Sequence, residues 1–221
     1  ATALLDTFYE SDAPETLRMQ ARLRALQIAG ETGSTDRARA ILFDSDWNVA
    51  TMPDIAVLSF AALDAGDLLL NEGHYSEAVR AYRLTLPRKV LIEKQRERLQ
   101  VVENALAQQS LFASSIWKSD SQQLVARLTR QLDLLENMAD YTPGLYLRSG
   151  QAYLLGQRFR EATILFRTVA QTPDFEADIR AEAHYRWIIA LSEAEDWQGA
   201  RDTAQAFLNE HPAHKLANSA L

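Results

Sequence analysis

Apolar residues recur at three- and four-residue steps along most of the chain, and Pro, Gly and short polar runs interrupt them. That is the pattern of successive amphipathic helices. Pro14 at a first turn opens a helix to Gly30, with Leu17, Ala21, Leu23, Leu26 and Ile28 on its apolar side. Gly33 to Asp36 supplies a turn and cap, and a short helix follows through Ala38, Ile41, Leu42 and Phe43. Met52-Pro53-Asp54 starts a helix to about Asn71. Glu72-Gly73-His74 turns the chain, with Gly in the left-handed position after a helix. Tyr75 to Leu86 returns, and Pro87 stops it.

A longer pair comes next. Leu91, Ile92, Leu99, Val102 and Leu106 mark one helix from Arg88 to about Ser110. Ser119-Asp120-Ser121-Gln122 reads as a capping box for a second, with Leu124, Val125, Leu128, Leu132, Leu135 and Met138 on one side. The tip between them is Phe112 to Lys118. Thr142-Pro143 opens a helix through Tyr153, and Gly156-Gln157-Arg158 turns it into Phe159 to Gln171. Glu176 to Glu195 and Trp197 to Glu210 form a last pair before His211-Pro212.

Three stretches align without gaps: Leu63 to Leu86, Leu147 to Ala170, and Tyr185 to Leu208. A small residue in the first helix, Gly66 or Gly150, admits a close second helix. A large residue follows at Leu69, Tyr153 or Leu191. An aromatic after the turn, Tyr75, Phe159 or Trp197, plugs the corner. Ala78, Ala162 and Ala200 stand where the helices cross, and Tyr82 or Phe166 closes onto the next unit. In the last stretch Ile188 replaces the small residue and Ala204 the aromatic, an exchange of large and small between facing positions. The Ala78 to Ala162 gap is about twice the Ala162 to Ala200 gap, room for one extra unit with lengthened helices.

This pattern resembles the tetratricopeptide repeat, a helix–turn–helix unit of about 34 residues. The resemblance implies an all-α fold, an α-solenoid of antiparallel helix pairs in a right-handed superhelix, with one lengthened hairpin. The whole chain, 1–221, then forms one array: a degenerate unit at 12–48, clear units at 52–87, 142–173 and 176–212, the long hairpin at 88–139, and the start of a further helix at 213–221. The end of the last unit, Phe207-Leu208-Asn209-Glu210-His211-Pro212, is similar to a branch of bacterial cell-envelope proteins that includes outer-membrane assembly lipoproteins and Tol–Pal-associated proteins.

In that family the first helix of each pair lines a concave groove. The resemblance assigns to it Phe60, Leu63, Asp67, Leu70 and Asn71, then Leu147, Gln151 and Leu154, then Tyr185 and Ile189. Arg148 and Arg186 stand one position over and join the set because long side chains reach the groove. The Lys and Asn pattern that clamps a C-terminal carboxylate in chaperone-binding relatives is missing. Ile116 and Trp117 form a second candidate contact at the hairpin tip, a place normally polar.

Composition narrows the chemistry. The net charge is −7, and the richest basic stretch, Arg88, Lys89, Lys94, Arg96 and Arg98, is interleaved with Glu93 and Glu97. That is a solvated helix face rather than a phosphate-binding surface, so no nucleic acid partner is expected. There is no Cys, which excludes disulfides and thiolate chemistry. No apolar run approaches the ~20 residues that span a bilayer. Ala1 in place of Met reads as a processed or trimmed chain.

Gly30 to Thr35 looks like a phosphate loop only superficially, since it lacks the Lys and a preceding strand. Asp44 with Asp46, and Glu193 with Glu195 and Asp196, stand at helix ends where carboxylates are solvated. His211 and His214 flank Pro212 without an evident third ligand, and read as a polar loop. The expectation is therefore no enzyme, no cofactor and no metal. The chain reads as a scaffold for a protein or peptide partner, with self-association open. The alternatives are a regulatory or structural arm of a larger envelope machine or multidomain enzyme, and a small-molecule or glycan binder.

Overall fold

The computed structural model describes residues 12–43, 47, 54–109 and 115–217. Among these residues there are ten helices and no strand. They are α1 (Glu15–Glu31), α2 (Thr35–Phe43), α3 (Ile55–Asn71), α4 (Tyr75–Leu84), α5 (Arg88–Gln109), α6 (Ser115–Asn137), α7 (Thr142–Leu155), α8 (Phe159–Ala170), α9 (Ala177–Glu193) and α10 (Trp197–Glu210). None is long and apolar enough to cross a membrane. The all-α expectation holds.

Each consecutive pair packs together: α1 with α2, α3 with α4, α5 with α6, α7 with α8, and α9 with α10. The turns inside the four shorter pairs share one geometry. The residue after the cap has a positive φ: Gly33 (65°), Gly73 (83°), Gln157 (59°) and Glu195 (60°). In each, its N–H and the next N–H donate back to carbonyls of the last helical turn, as His74 does to Leu69 at 2.8 Å and Arg158 to Tyr153 at 2.8 Å. This is the Schellman closure, which satisfies carbonyls that a helix end leaves orphaned. The left-handed residue in the third of these turns is Gln157, not the neighbouring Gly156. The α1–α2 turn follows the same rule, so the least regular pair shares the local device of the others.

The small residues sit at close helix contacts. Ala78 and Ala162 are fully buried and Ala200 nearly so. A Cβ added to Gly66 would lie 2.5 Å from Cε1 of Tyr82, and one on Gly150 would lie 2.5 Å from Cε1 of Phe166. Each aromatic therefore closes onto the glycine of its own pair, within a core shared with the next unit. In the last pair Ile188 and Ala204 share one apolar cluster with Ala200 and Phe207. Fully buried Phe166, Phe207, Leu26, Leu58 and Leu69 anchor the interior, each stabilising by about 1.5–3 kcal/mol. Trp197 was expected to plug its corner, yet it is 67% exposed.

Successive pairs join through α1 and α2 on α3, α4 on α7, and α8 on α9. The long hairpin α5–α6 is bypassed, so it is not a unit between α4 and α7. Its base is pinned shut. The Tyr141 hydroxyl donates to the Leu86 carbonyl at 2.7 Å, and the Arg88 N–H donates to Thr142 Oγ1 at 3.0 Å. Arg88 also donates to the carbonyls of Leu135 and Glu136. The chain thus leaves and rejoins at one place. The hairpin rests on α3 through a separate cluster of Leu91, Ile92 and Leu135 with Ile55 and Ala56.

Some boundaries differ from expectation. α6 starts at Ser115, so Ser119 to Gln122 lies inside the helix rather than capping it. The described part of 213–221, up to Ala217, is turn rather than helix until Ala217 itself, whose buried side chain joins the last cluster.

Candidate functional site

Helices α3, α7 and α9 each begin a pair, and polar side chains bridge them in sequence. Asp67 on α3 accepts a hydrogen bond from the Tyr82 hydroxyl at 2.7 Å through one oxygen. Its other oxygen pairs with Arg148 of α7 at 3.1 Å. One turn along α7, Gln151 accepts from Arg186 of α9 at 3.4 Å, and Arg186 also pairs with Glu182 at 2.6 Å. Burial, and then the Asp67 bond, push the Tyr82 phenol well above its ordinary range, so it remains a fixed donor that orients Asp67. Asp64, one turn earlier, has its carboxyl raised by burial and by Asp67, with Arg148 offsetting part of it. The Arg148 side chain is about half exposed and its pairing is worth at most ~1 kcal/mol. Its guanidinium is free to exchange one carboxylate for another.

The expected groove residues divide into groups. Asp67, Arg148, Gln151 and Arg186 come together in this polar row. Leu63 and Leu147 are buried in the main core, with Leu70 and Leu154 packed half-buried against it. Asn71 is exposed at the end of α3. Tyr185 packs against the last cluster beside Phe207, and Ile189 is half-buried on α9. Phe60 lies elsewhere, edge-on to Tyr141 at 5.3 Å. It lines an apolar cleft of about 410 Å³ with Gln27, Val57, Leu134 and Met138. Ile116 and Trp117 fall in the first turn of α6, and their side chains lie outside the described residues.

A second constellation forms at the end of α10. His184 of α9 is buried, and its Nδ1 lies 3.7 Å from Glu210 Oε2. His211 Nε2 lies 3.9 Å from that same oxygen. One donor atom from each of the three residues falls within 4.8 Å of the others. His184 stacks on Trp187 at 5.5 Å and meets the edge of Phe207 at 5.5 Å. Burial holds both imidazoles below their ordinary range, with Glu210 partly opposing, so both rings are neutral at neutral pH and offer a lone pair. The three residues share a cavity of about 700 Å³ with Gln171, Arg180, Trp187, Asp202 and Thr203.

The sequence pairing of His211 with His214 missed this set. His214 Nδ1 is occupied by the N–H of Leu216 at 3.3 Å, within its own loop. The third donor comes from α9, and Glu210 adjoins His211 at a helix end. A signal existed in the spacing of Arg180, His184 and Trp187, which places them on one stripe of α9.

The chain matches no protein-family model, and no significant match is found among curated proteins or solved structures.

Proposed function

We propose that the chain is a non-catalytic scaffold of the tetratricopeptide type, an α-solenoid that binds a peptide segment or a protein surface on the face carrying Asp67, Arg148, Gln151 and Arg186. The observation that supports this most is the polar row across the first helices of three successive pairs. Arg148 spans α7 to α3, and Arg186 spans α9 to α7. Both guanidiniums keep donors beyond those used within the chain, and both are paired with carboxylates that a partner's acidic group can replace. A groove occupant with alternating acidic and amide-bearing side chains fits this row.

Leu147 is a core residue, so truncating it tests folding rather than binding. The double variant Arg148→Ala, Arg186→Ala keeps the apolar interior intact. Partner capture from the source cell by the folded double variant, with its fold checked by circular dichroism, should fall at least tenfold against wild type. Capture by wild type should also weaken with salt. Undiminished capture of the same partner by the folded double variant would overturn the assignment to this face.

A further inference from the structure

We propose that His184, Glu210 and His211 bind one divalent transition-metal ion of the zinc class, tying α9 to the C-terminal end of α10. The proposal does not depend on the scaffold reading, and it departs from the sequence expectation of no metal.

The donor set is right in kind. Two imidazole nitrogens and a carboxylate suit zinc, and related ions of the same series, better than calcium or magnesium. The spacing is right in scale. Zinc bonds to nitrogen and oxygen are about 2.0–2.2 Å, so two donors on one ion stand no more than about 4 Å apart. Glu210 Oε2 already meets that limit towards both rings, at 3.7 and 3.9 Å. The two imidazole donors lie within 4.8 Å of each other, and less than about 1 Å of closure brings them inside it. The side chain that has to adjust is His211, which stands just past the end of α10 and is partly exposed, at 15%.

The fixed half of the site is preorganised. The His184 side chain is only 6% exposed and is held between Trp187 and Phe207. Its orientation is therefore set by packing before any ion arrives, which lowers the ordering cost of binding. A second observation is independent of the spacing. Among the described residues Arg180 Nε and Trp187 Nε1 are buried without a hydrogen-bond partner, and both residues line the cavity that His184, Glu210 and His211 share. Buried polar groups are nearly always satisfied, and orphans clustered in one place point to a ligand there. Three protein ligands leave a zinc coordination position open. Here that position adjoins the cavity, where the Arg180 and Trp187 N–H groups suit an oxygen-bearing coligand such as water or a small carboxylate.

The test uses the tag-free chain, stripped with chelator and titrated with zinc chloride by calorimetry and thermal unfolding. One zinc per chain and a raised Tm are expected, and cobalt(II) at the same site should give visible d–d absorption. Glu210→Gln and His211→Ala alter exposed or partly exposed side chains and should fold, with zinc affinity reduced at least tenfold. His214→Ala should bind as wild type. Absence of stoichiometric zinc binding would overturn the proposal. So would unchanged affinity in both folded Glu210 and His211 variants, or a loss that tracks His214 in place of His211.

Discussion

At Gly66 and Gly150 the missing Cβ is the space that a facing ring occupies. Alanine is the better helix former by about 1 kcal/mol, yet its methyl would sit 2.5 Å from Phe166 at position 150. Phe166 is fully buried and has nowhere to move. Gly150→Ala should therefore destabilise by about 1–3 kcal/mol, the usual cost of overpacking. Adding Phe166→Leu should recover part of that loss, and denaturant unfolding of the four variants in a double-mutant cycle measures the coupling. Additive effects would mean that the two residues do not oppose each other. The last pair carries its own compensated version, Ile188 with Ala204. A second residue-scale expectation concerns Gln157, held at φ 59° on the surface. Gln157→Gly relieves left-handed strain and should raise stability by about 0.5–1 kcal/mol in urea unfolding. Lower stability would show that the Gln side chain has another role.

At the scale of elements, the long hairpin depends on how its base is closed. Tyr141 supplies one tie, its hydroxyl donating to Leu86, and a bond of this kind contributes about 1 kcal/mol. Burial pushes the Tyr141 phenol up to about 12, above its ordinary value of 10. The native state therefore holds the proton more tightly than the unfolded chain. The stabilisation is present in full below pH 10 and is lost as pH rises towards 12. Tyr141→Phe should accordingly be less stable than wild type at neutral pH, with the gap shrinking between pH 10 and 12. A gap independent of pH in that window would mean that burial does not raise the Tyr141 phenol. Periodicity gave no warning that this pair is bypassed. An inserted amphipathic hairpin and a stacked one carry the same helical periodicity, and the packing of α4 on α7, with the contacts of Leu86 and Arg88 to Tyr141 and Thr142, distinguishes them.

At the scale of the molecule, a chain of net charge −7 keeps two arginines on a row shared by three helices. Part of that row was legible. Asp67, Gln151 and their neighbours follow from aligning first helices, and Arg148 and Arg186 follow from reach. The alignment could not separate the apolar members by exposure, because Leu63 and Leu147 occupy corresponding positions that the core claims. The salt dependence of partner capture belongs to this scale, since it reads the summed field of the row rather than one contact.

The order of hydrophobic and small residues was enough to determine an all-helical chain, its turns, and the pairing of neighbouring helices, because those depend on contacts a few residues apart. Tertiary structure alone decided that α4 meets α7, which residues of the first helices stay exposed, and that His184 reaches Glu210 and His211. These are encounters between distant segments. They are governed by which buried surfaces fit each other in space, and no local spacing in the sequence encodes that fit.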